Sequence, residues 1–483
     1  MNLGQLNYWA ALPEIVVLAA ASLILLVDLF VPEGRKHVTY WLTQFALLVA
    51  ACVTLTTLRV STIHGYHGMV VDDMLADVLR IACFIAVSLT LFYSRSYMAA
   101  RGLLRGDVLV LTLFALLGMQ VMITGNNFLT LYLGLELMSL SLYALVASQR
   151  DHPRGAEASM KYFVLSALAS GMLLYGLSMI YGTTGSLDLD TAARAIFGHR
   201  ESPLLLTFGL VFVVSGLAFK LALVPYHMWV PDVFDGAPTS VTLLIGTAPD
   251  IAAFAMTLRI LSAGMQGAAF DWQGMLIVLC VLSMVLGNLI AISQANIKRM
   301  LAYSTIANMG YMILGFLTAN RYGFSAAMFY IIAYVLTSLA SWGMIMVLSR
   351  EGFEADRLDD FKGLNQRSPW WAFIMLLVMF SLAGLPPTLG FYAKFVVIEA
   401  AINDGFVWLA VIAVVMSLIG AFYYLRVVKI MYFDDPIDTT PIVVRADTSV
   451  ALSANGLLLL VLGILPQQLI GLCAIALTHS SFP

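Results

Sequence analysis

Residues 216–232, GLAFKLALVPYHMWVPD, place one lysine and two prolines inside an otherwise apolar stretch. Lys220 stands five residues before Pro225. A charged side chain in hydrocarbon is costly and usually faces a polar interior, and a proline inside a helix frees a backbone carbonyl. The stretch therefore predicts a membrane helix that breaks beside a buried ammonium group, a pattern typical of transport sites.

A second stretch, residues 381–400, repeats this arrangement as SLAGLPPTLGFYAKFVVIEA. Lys394 follows the Pro386 and Pro387 pair and Gly390. In our count the two interrupted helices are the seventh and the twelfth to cross the membrane. A shift of five, being odd, reverses the direction of a helix through the membrane. We therefore expect two inverted five-helix repeats with broken helices 7 and 12.

The composition places these two stretches in a membrane protein. Of the 483 residues, 61% are hydrophobic and 11% are charged, against about 25% charged in soluble domains. An ordinary soluble enzyme is excluded, and the net charge of −3 offers no basic surface for nucleic acid. The four cysteines are far apart in the chain and lie in apolar runs, so neither a metal motif nor a disulfide framework is expected.

The hydropathy pattern predicts an all-α polytopic membrane protein with about fourteen transmembrane helices. We divide the chain into N-terminal helices 1–3 (1–106), a first repeat of helices 4–8 (107–262), an inverted second repeat of helices 9–13 (263–433), and a C-terminal loop with helix 14 (434–483). The predicted spans are 12–31, 39–58, 74–94, 107–124, 127–148, 160–182, 204–230, 239–262, 272–294, 300–318, 322–349, 369–402, 406–433 and 450–475.

Assigning Lys and Arg to alternate loops predicts the orientation, because short cytoplasmic loops carry the positive excess. The sparsely basic side contains only Arg59, Arg194, Arg200, Arg259 and Arg321. The opposite side receives Arg35, Lys36, Arg95, Arg101, Arg105, Arg150, Arg154, Lys298, Arg299, Arg350, Arg357, Lys362, Arg367, Arg426, Lys429 and Arg445. This asymmetry predicts both termini to be extracytoplasmic.

Other polar residues fall deep within the predicted spans. Glu136 stands ten residues after Asn126, about 15 Å into its helix, and Asp250 and Asn308 lie a third to a half of the way into theirs. Intramembrane charges of this kind are functional candidates by default. The positions favour a polar row across the middle of the bilayer, although Glu136 could also be neutral and bonded to a neighbouring helix.

Three further residues have two interpretations each. Lys161 lies in the first turn of its predicted span, so it is either a site residue or a lysine that snorkels to the interface. His227 stands close to Trp229, where capping and proton transfer are both plausible roles. Arg80 favours snorkelling or helix pairing over transport.

The motifs at residues 220–242, 288–311 and 384–395 resemble those of the proton-translocating antiporter-like subunits of respiratory complex I. The resemblance covers about spans 4–13. It implies that Glu136 pairs with Lys220 and that Lys394 is the far end of a proton relay. Two positions depart from the family pattern, since Asp250 stands where a lysine is usual and Asn308 stands where a histidine is frequent.

The same resemblance implies that this chain carries no cofactor of its own. Electrons would pass from NADH through FMN and iron-sulfur clusters to quinone in partner subunits, which comprise other membrane subunits and a peripheral NADH dehydrogenase arm. An alternative is a subunit of a multisubunit Na⁺/H⁺ antiporter, with which the motifs are shared. A third possibility is a scaffold that has lost transport, which the departures at Asp250 and Asn308 favour.

Overall fold

The computed structural model describes residues 6–58, 61–149, 152–198 and 203–480, so Arg59, Arg150 and Arg200 of the charge analysis lie outside the described residues. The described chain is almost entirely helical. Its helices are α1 (Leu12–Asp28), α2 (His37–Thr57), α3 (Met74–Ala100), α4 (Gly106–Thr124), α5 (Phe128–Val146), α6 (Pro153–Thr184), α7 (Leu189–Gly198), α8 (Pro203–Lys220), α9 (Trp229–Gly236), α10 (Thr239–Ile245), α11 (Ala248–Leu258), α12 (Ala269–Ser293), α13 (Ile297–Phe316), α14 (Arg321–Leu348), α15 (Leu364–Arg367), α16 (Pro369–Ala383), α17 (Leu389–Asn403), α18 (Val407–Phe433), α19 (Ala446–Ile464) and α20 (Gln467–Thr478).

The predicted all-α membrane fold is confirmed. Within the described residues, 11 helical segments are long and apolar enough to cross a membrane. The three other predicted spans fall on α13, whose first turn contains Lys298 and Arg299, and on the helix pairs α8–α9 and α16–α17. The count of fourteen crossings stays a prediction.

The seventh and twelfth passes are broken where the prolines predict. Residues 221–228 separate α8 from α9, and residues 384–388 separate α16 from α17. The Val224–Pro225 and Pro386–Pro387 peptide bonds are both cis. Since each break falls within an apolar pass, it leaves backbone groups without intrahelical partners at membrane depth.

The eighth pass is also broken, which the sequence analysis did not predict. Helix α10 ends before Gly246, and Pro249 lies in the first turn of α11. The hydroxyl of Ser338 donates to the Gly246 carbonyl at 3.0 Å, which satisfies an acceptor that the break exposes. The fourteenth pass is likewise interrupted between α19 and α20, at Pro466.

Glycines let the first two helices of each predicted repeat approach closely. A Cβ at Gly118 of α4 would lie 2.4 Å from the Met138 amide of α5. A Cβ at Gly287 of α12 would lie 2.7 Å from the Ala307 amide of α13. Small residues at such contacts are typical of helix packing in membranes.

The two ends of the bundle differ. The end that we call the hairpin face carries β1 (Ile63–Gly65) paired antiparallel with β2 (Val70–Asp72). The opposite end, which we call the basic face, carries the short helix α15 and most of the described Lys and Arg residues. The stretch between the predicted spans 160–182 and 204–230 contains the amphipathic helix α7, which buries Leu189, Ala192 and Ile196 at helical spacing.

A network of buried charges lies at the hairpin face. The guanidinium of Arg80 is fully buried and pairs with Glu14 at 2.8 Å, with Asp77 at 3.3 Å and with Asp72. Arg80 thus joins α1, β2 and α3, in agreement with the helix-pairing interpretation rather than with snorkelling. A second fully buried arginine, Arg259, pairs at 3.0 Å with Asp73, the residue that follows Asp72.

Candidate functional site

Lys220 is the last residue of α8 and lies where the seventh pass breaks. Its Nζ donates to the Ser139 Oγ of α5 and to the Ser166 Oγ of α6, each at 2.7 Å. Ser166 also accepts a hydrogen bond from the Tyr143 hydroxyl of α5. The negative end of the α8 dipole further favours a cation at this position. The ammonium is therefore held by neutral oxygens and by a helix terminus.

Glu136, which the family resemblance pairs with Lys220, does not form an ion pair with it. Neither carboxylate oxygen lies within the 4.0 Å of an ion pair with Lys220, and Oε1 of Glu136 is buried without a hydrogen-bond partner. Glu136 lies one helical turn before Ser139, which occupies the contact position instead.

Lys394 lies in α17, just after the break in the twelfth pass. Its Nζ donates to the carbonyls of Leu382 at 3.1 Å and Ala383 at 3.0 Å, and to the Ser417 hydroxyl at 3.1 Å. These carbonyls are available because α16 ends at Gly384 in a left-handed conformation. Lys394 therefore satisfies the broken helix end, as the proline pair predicts.

Hydroxyl and amide groups fill the space between α12, α13, α14, α16 and α18. Sequence reasoning missed them, because single Tyr, Ser and Thr residues in apolar helices carry no pattern of their own. The hydrogen-bonded pairs are Tyr330 OH with Asn308 Oδ1 (2.7 Å), Tyr334 OH with Thr305 Oγ1 (2.8 Å), Ser304 Oγ with Tyr424 OH (2.5 Å), Thr337 Oγ1 with Ser381 Oγ (3.0 Å) and Tyr423 OH with Asn288 Oδ1 (3.1 Å).

A small polar cavity joins Lys394 to this hydroxyl network. The cavity measures about 10 Å³ and is lined by Asn308, Tyr334, Ser381 and Lys394, among others. That volume is close to the space that one water molecule needs. Asn308 cannot titrate, but it accepts from Tyr330 and lies on the lining that leads to the lysine.

Asp250 lies in the first turn of α11, directly after the break in the eighth pass. The side chain is buried, and Oδ2 has no hydrogen-bond partner. Helix α11 packs against α8, which carries Lys220, and against α14, which carries Tyr334 of the Lys394 cavity. Asp250 therefore lies between the two lysine sites.

The structure does not bring Lys161 into this row. Lys161 is part-exposed on α6 and pairs with Glu157 and Asp232, each at 2.8 Å. Arg299 also pairs with Asp232, at 3.1 Å. These residues line a polar cavity of about 200 Å³ at the basic face. The arrangement agrees with the interpretation in which Lys161 reaches the interface.

His227 lies within the break of the seventh pass, between Lys220 and α9. It is half-buried, and its Nδ1 has no hydrogen-bond partner. Neighbouring Met228 is 72% exposed, so this side of the break lies at the outer wall of the bundle. His227 is therefore near the site but does not contact Lys220.

The helical membrane bundle with lysines at two broken helices defines the class of antiporter-like polytopic membrane proteins. The family model described as NADH:quinone oxidoreductase/Mrp antiporter, TM, matches residues 125–420. A chain of the Mrp complex from Dietzia sp. DQ12-45-1b shares the fold, with a TM-score of 0.85 over 98% of this chain and 97% of that chain, at 22% identity.

Other comparisons define the family within this class. NADH-quinone oxidoreductase subunit N of Methylovorus glucosotrophus (strain SIP3-4) is 55% identical over 481 residues, covering 99% of this chain and 100% of that protein. A chain of respiratory complex I from Thermus thermophilus, solved with bound aureothin, is 32% identical, with a TM-score of 0.83 over 96% of this chain and 99% of that chain. The chain belongs to the family of NADH-quinone oxidoreductase subunit N.

Proposed function

We propose that this chain is a proton-translocating membrane subunit of NADH-quinone oxidoreductase in a bacterial inner membrane. Electron transfer from NADH through FMN and iron-sulfur centres to quinone takes place in partner subunits, and this chain carries no redox centre. Its partners are the other membrane subunits and the peripheral NADH dehydrogenase arm. The basic face lies in the cytoplasm, so that both termini are extracytoplasmic.

One observation carries this proposal. Lys220 and Lys394 lie at helix breaks inside the bundle, and among the described residues neither forms an ion pair. An ammonium group away from water and without a counter-ion is costly. The charged and the neutral form of each amine are therefore close in free energy, as a proton-exchanging group requires.

The remaining groups complete a relay in this proposal. Glu136 biases the proton affinity of Lys220 through its charge. Asp250 exchanges protons with the hydroxyl groups around it and so connects the two lysines in place of the lysine that related chains carry. The hydroxyl network near Asn308 then leads to Lys394. Motion of Glu136 relative to Lys220 would release the proton from that lysine, and redox events elsewhere would drive the motion.

Lys161 and His227 have supporting roles. The cluster of Lys161, Asp232 and Arg299 lies at the basic face beside α9, where protons would enter. His227 lies along the break between this cluster and Lys220. Because Lys161 is solvent-exposed, its loss would change the entry rate by less than about fivefold, the effect of an exposed ion pair.

The domain division remains part of the proposal. The units 107–262 and 263–433 each begin with a glycine-packed helix pair and each contain a broken fourth helix. These features support two inverted repeats, with residues 1–106 and 434–483 as flanking elements.

The alternative of a Na⁺/H⁺ antiporter subunit has weaker support. The relative from Methylovorus is 55% identical over nearly the whole chain, whereas the Mrp chain is 22% identical and supports the fold alone. Copurification with NADH-oxidising activity distinguishes the two functions.

The test is made in the assembled complex, in which protons pumped per NADH oxidised are measured for Lys220→Ala and Glu136→Ala. We expect both variants to pump poorly, because each removes one member of the switching pair. Lys429→Ala is the control, since it removes an exposed, ion-paired lysine of the basic face that has no part in the proposed relay. Unchanged pumping in both Lys220→Ala and Glu136→Ala would overturn the assignment.

A further inference from the structure

A cavity of about 350 Å³ lies at the basic face, between α3, α14 and the segment that leads into α19. Its lining contains three charged side chains, and all three are arginines: Arg101, Arg350 and Arg445. We call it the arginine cavity. Its lining contains none of the relay residues, and it takes no part in the proposed proton path.

The carboxylates that pair with these arginines lie outside the lining. Arg101 pairs with Glu354 at 2.7 Å, and Arg350 pairs with Asp438 at 2.9 Å. Arg445 pairs with Asp447 at 3.3 Å, and Asp447 is also outside the lining. A guanidinium has five N–H donors, more than one carboxylate occupies. Arg101 also donates to the Arg350 and Phe353 carbonyls, so the spare donors belong mainly to Arg350 and Arg445. The cavity itself is therefore lined by positive charge with spare donors.

The rest of the lining is amphipathic. Ser96 and Thr448 also line the cavity, and Met346, Val347 and Val443 form an apolar wall. Val443 is 91% exposed, so this wall is open to the surroundings of the protein. A ligand that fits must combine an anionic group with an apolar portion.

The cavity beside Lys161 shows that such a lining is not general at this face. There the three bases Arg154, Lys161 and Arg299 stand with the three acids Glu157, Asp232 and Asp235 in one lining. Those charges neutralise one another. An anion is therefore favoured in the arginine cavity and not in its neighbour.

We propose that the arginine cavity binds the phosphate headgroup of an anionic phospholipid from the adjacent leaflet. The guanidinium groups donate to the phosphate oxygens, a geometry that arginine matches in bidentate fashion. The first carbons of the acyl chains lie on the wall formed by Met346, Val347 and Val443. Basic pockets at the ends of membrane helices recognise lipid headgroups by this chemistry.

The proposal is tested on the full chain, purified in detergent and stripped of lipid. Native mass spectrometry measures the Kd for dioctanoyl phosphatidylglycerol, dioctanoyl phosphatidylcholine and glycerol 3-phosphate. We expect phosphatidylglycerol to bind most tightly. In the double variant Arg350→Gln with Arg445→Gln, the Kd for phosphatidylglycerol should rise about 25-fold, because each basic residue contributes about fivefold to the affinity.

Two further variants sharpen the test. Arg105→Gln with Lys429→Gln removes two exposed, ion-paired bases from the same face but outside the cavity, and should leave the Kd unchanged. Val443→Glu places a carboxylate on the exposed wall, where folding is unaffected, and should weaken binding. An equal loss in the control pair, or no preference for phosphatidylglycerol over phosphatidylcholine, would overturn the proposal. If glycerol 3-phosphate bound as tightly as phosphatidylglycerol, the ligand of the cavity would be a soluble phosphate and not a lipid.

Discussion

The Nζ of Lys220 lies 2.7 Å from the Oγ of Ser139, and this serine stands one helical turn after Glu136 on α5. The hydroxyl occupies the place where a carboxylate contact was expected. Glu136 therefore acts on Lys220 across a gap and not through a bond. A charge that acts at a distance can change its influence by a small movement, whereas a direct buried ion pair would have to be broken at high cost.

Ser139→Ala tests the role of this hydroxyl. The substitution removes one hydrogen bond to the ammonium, worth about 1.5–3 kcal/mol, and so shifts the balance of Lys220 towards the neutral amine. We expect proton pumping in the assembled complex to fall by roughly tenfold. Ser141→Ala is the matched control, because Ser141 lies on the same helix and donates only to the Leu137 carbonyl. Equal activities of the two variants would argue against a role for Ser139.

Gly384→Ala tests the break that holds Lys394. Gly384 has a φ of +80°, and a Cβ there would lie 2.8 Å from Cδ of Lys394. The backbone strain costs about 1–3 kcal/mol, and the added carbon displaces the lysine from the carbonyls at the end of α16. We expect a lower thermal midpoint and a loss of pumping.

Gly405→Ala separates these two effects. Gly405 has a φ of +87° at the far end of the same pass, and a Cβ there would meet nothing within 4 Å. The thermal midpoint should fall by a similar amount because the strain is similar, while pumping per NADH should persist. If Gly405→Ala also abolished pumping, strain alone would explain the loss in Gly384→Ala.

The membrane fold could be predicted because its signals are strong and local. Each crossing is a run of apolar residues, and Pro225 and the Pro386 and Pro387 pair mark two breaks directly. The break in the eighth pass was missed because Pro249 lies at the start of α11, a position that a helix tolerates. Helix α7 was missed because it is short and lies in a polar stretch.

The site could be predicted only in part. Buried lysines beside prolines stand out from an apolar background, so Lys220 and Lys394 were found. Their partners Ser139, Ser166 and Ser417 were not, since serine is common in membrane helices and its contacts depend on tertiary packing. The two lysines also lie in different halves of their broken passes, which the spacing of apolar residues does not reveal. Lys220 ends the first half of its pass, whereas Lys394 lies in the second half.

Asp250→Asn tests the centre of the relay. The amide has nearly the same shape as the carboxyl group but cannot exchange protons. Because Oδ2 has no hydrogen-bond partner, we expect the thermal midpoint to stay the same or to rise. Pumping should fall by roughly tenfold or more, as for other losses of a proton-transfer group. Asp404→Asn, an exposed acid in the turn after α17, is the control.

Asp250→Lys tests the alternative that this chain is a scaffold that has lost transport, again by measuring proton pumping in the assembled complex. It restores the residue type that the family resemblance implies for this position. If the wild-type chain is a working translocase, the lysine variant should pump no better than wild type. A large gain in pumping would indicate that the natural chain is impaired at this position.

Arg80→Met tests the buried charges at the hairpin face. The substitution leaves Glu14, Asp72 and Asp77 without their shared cation, and breaking a buried ion pair in this way costs about 3–5 kcal/mol. Burial already raises the pKa of Asp72, and Arg80 opposes that effect, so the variant should raise this pKa further. A raised pKa gives stability that is present at low pH and is lost as the pH increases. The thermal midpoint of Arg80→Met should therefore lie closer to that of wild type at pH 5 than at pH 8, while Arg105→Met, at an exposed pair, should cost less than about 1 kcal/mol at either pH.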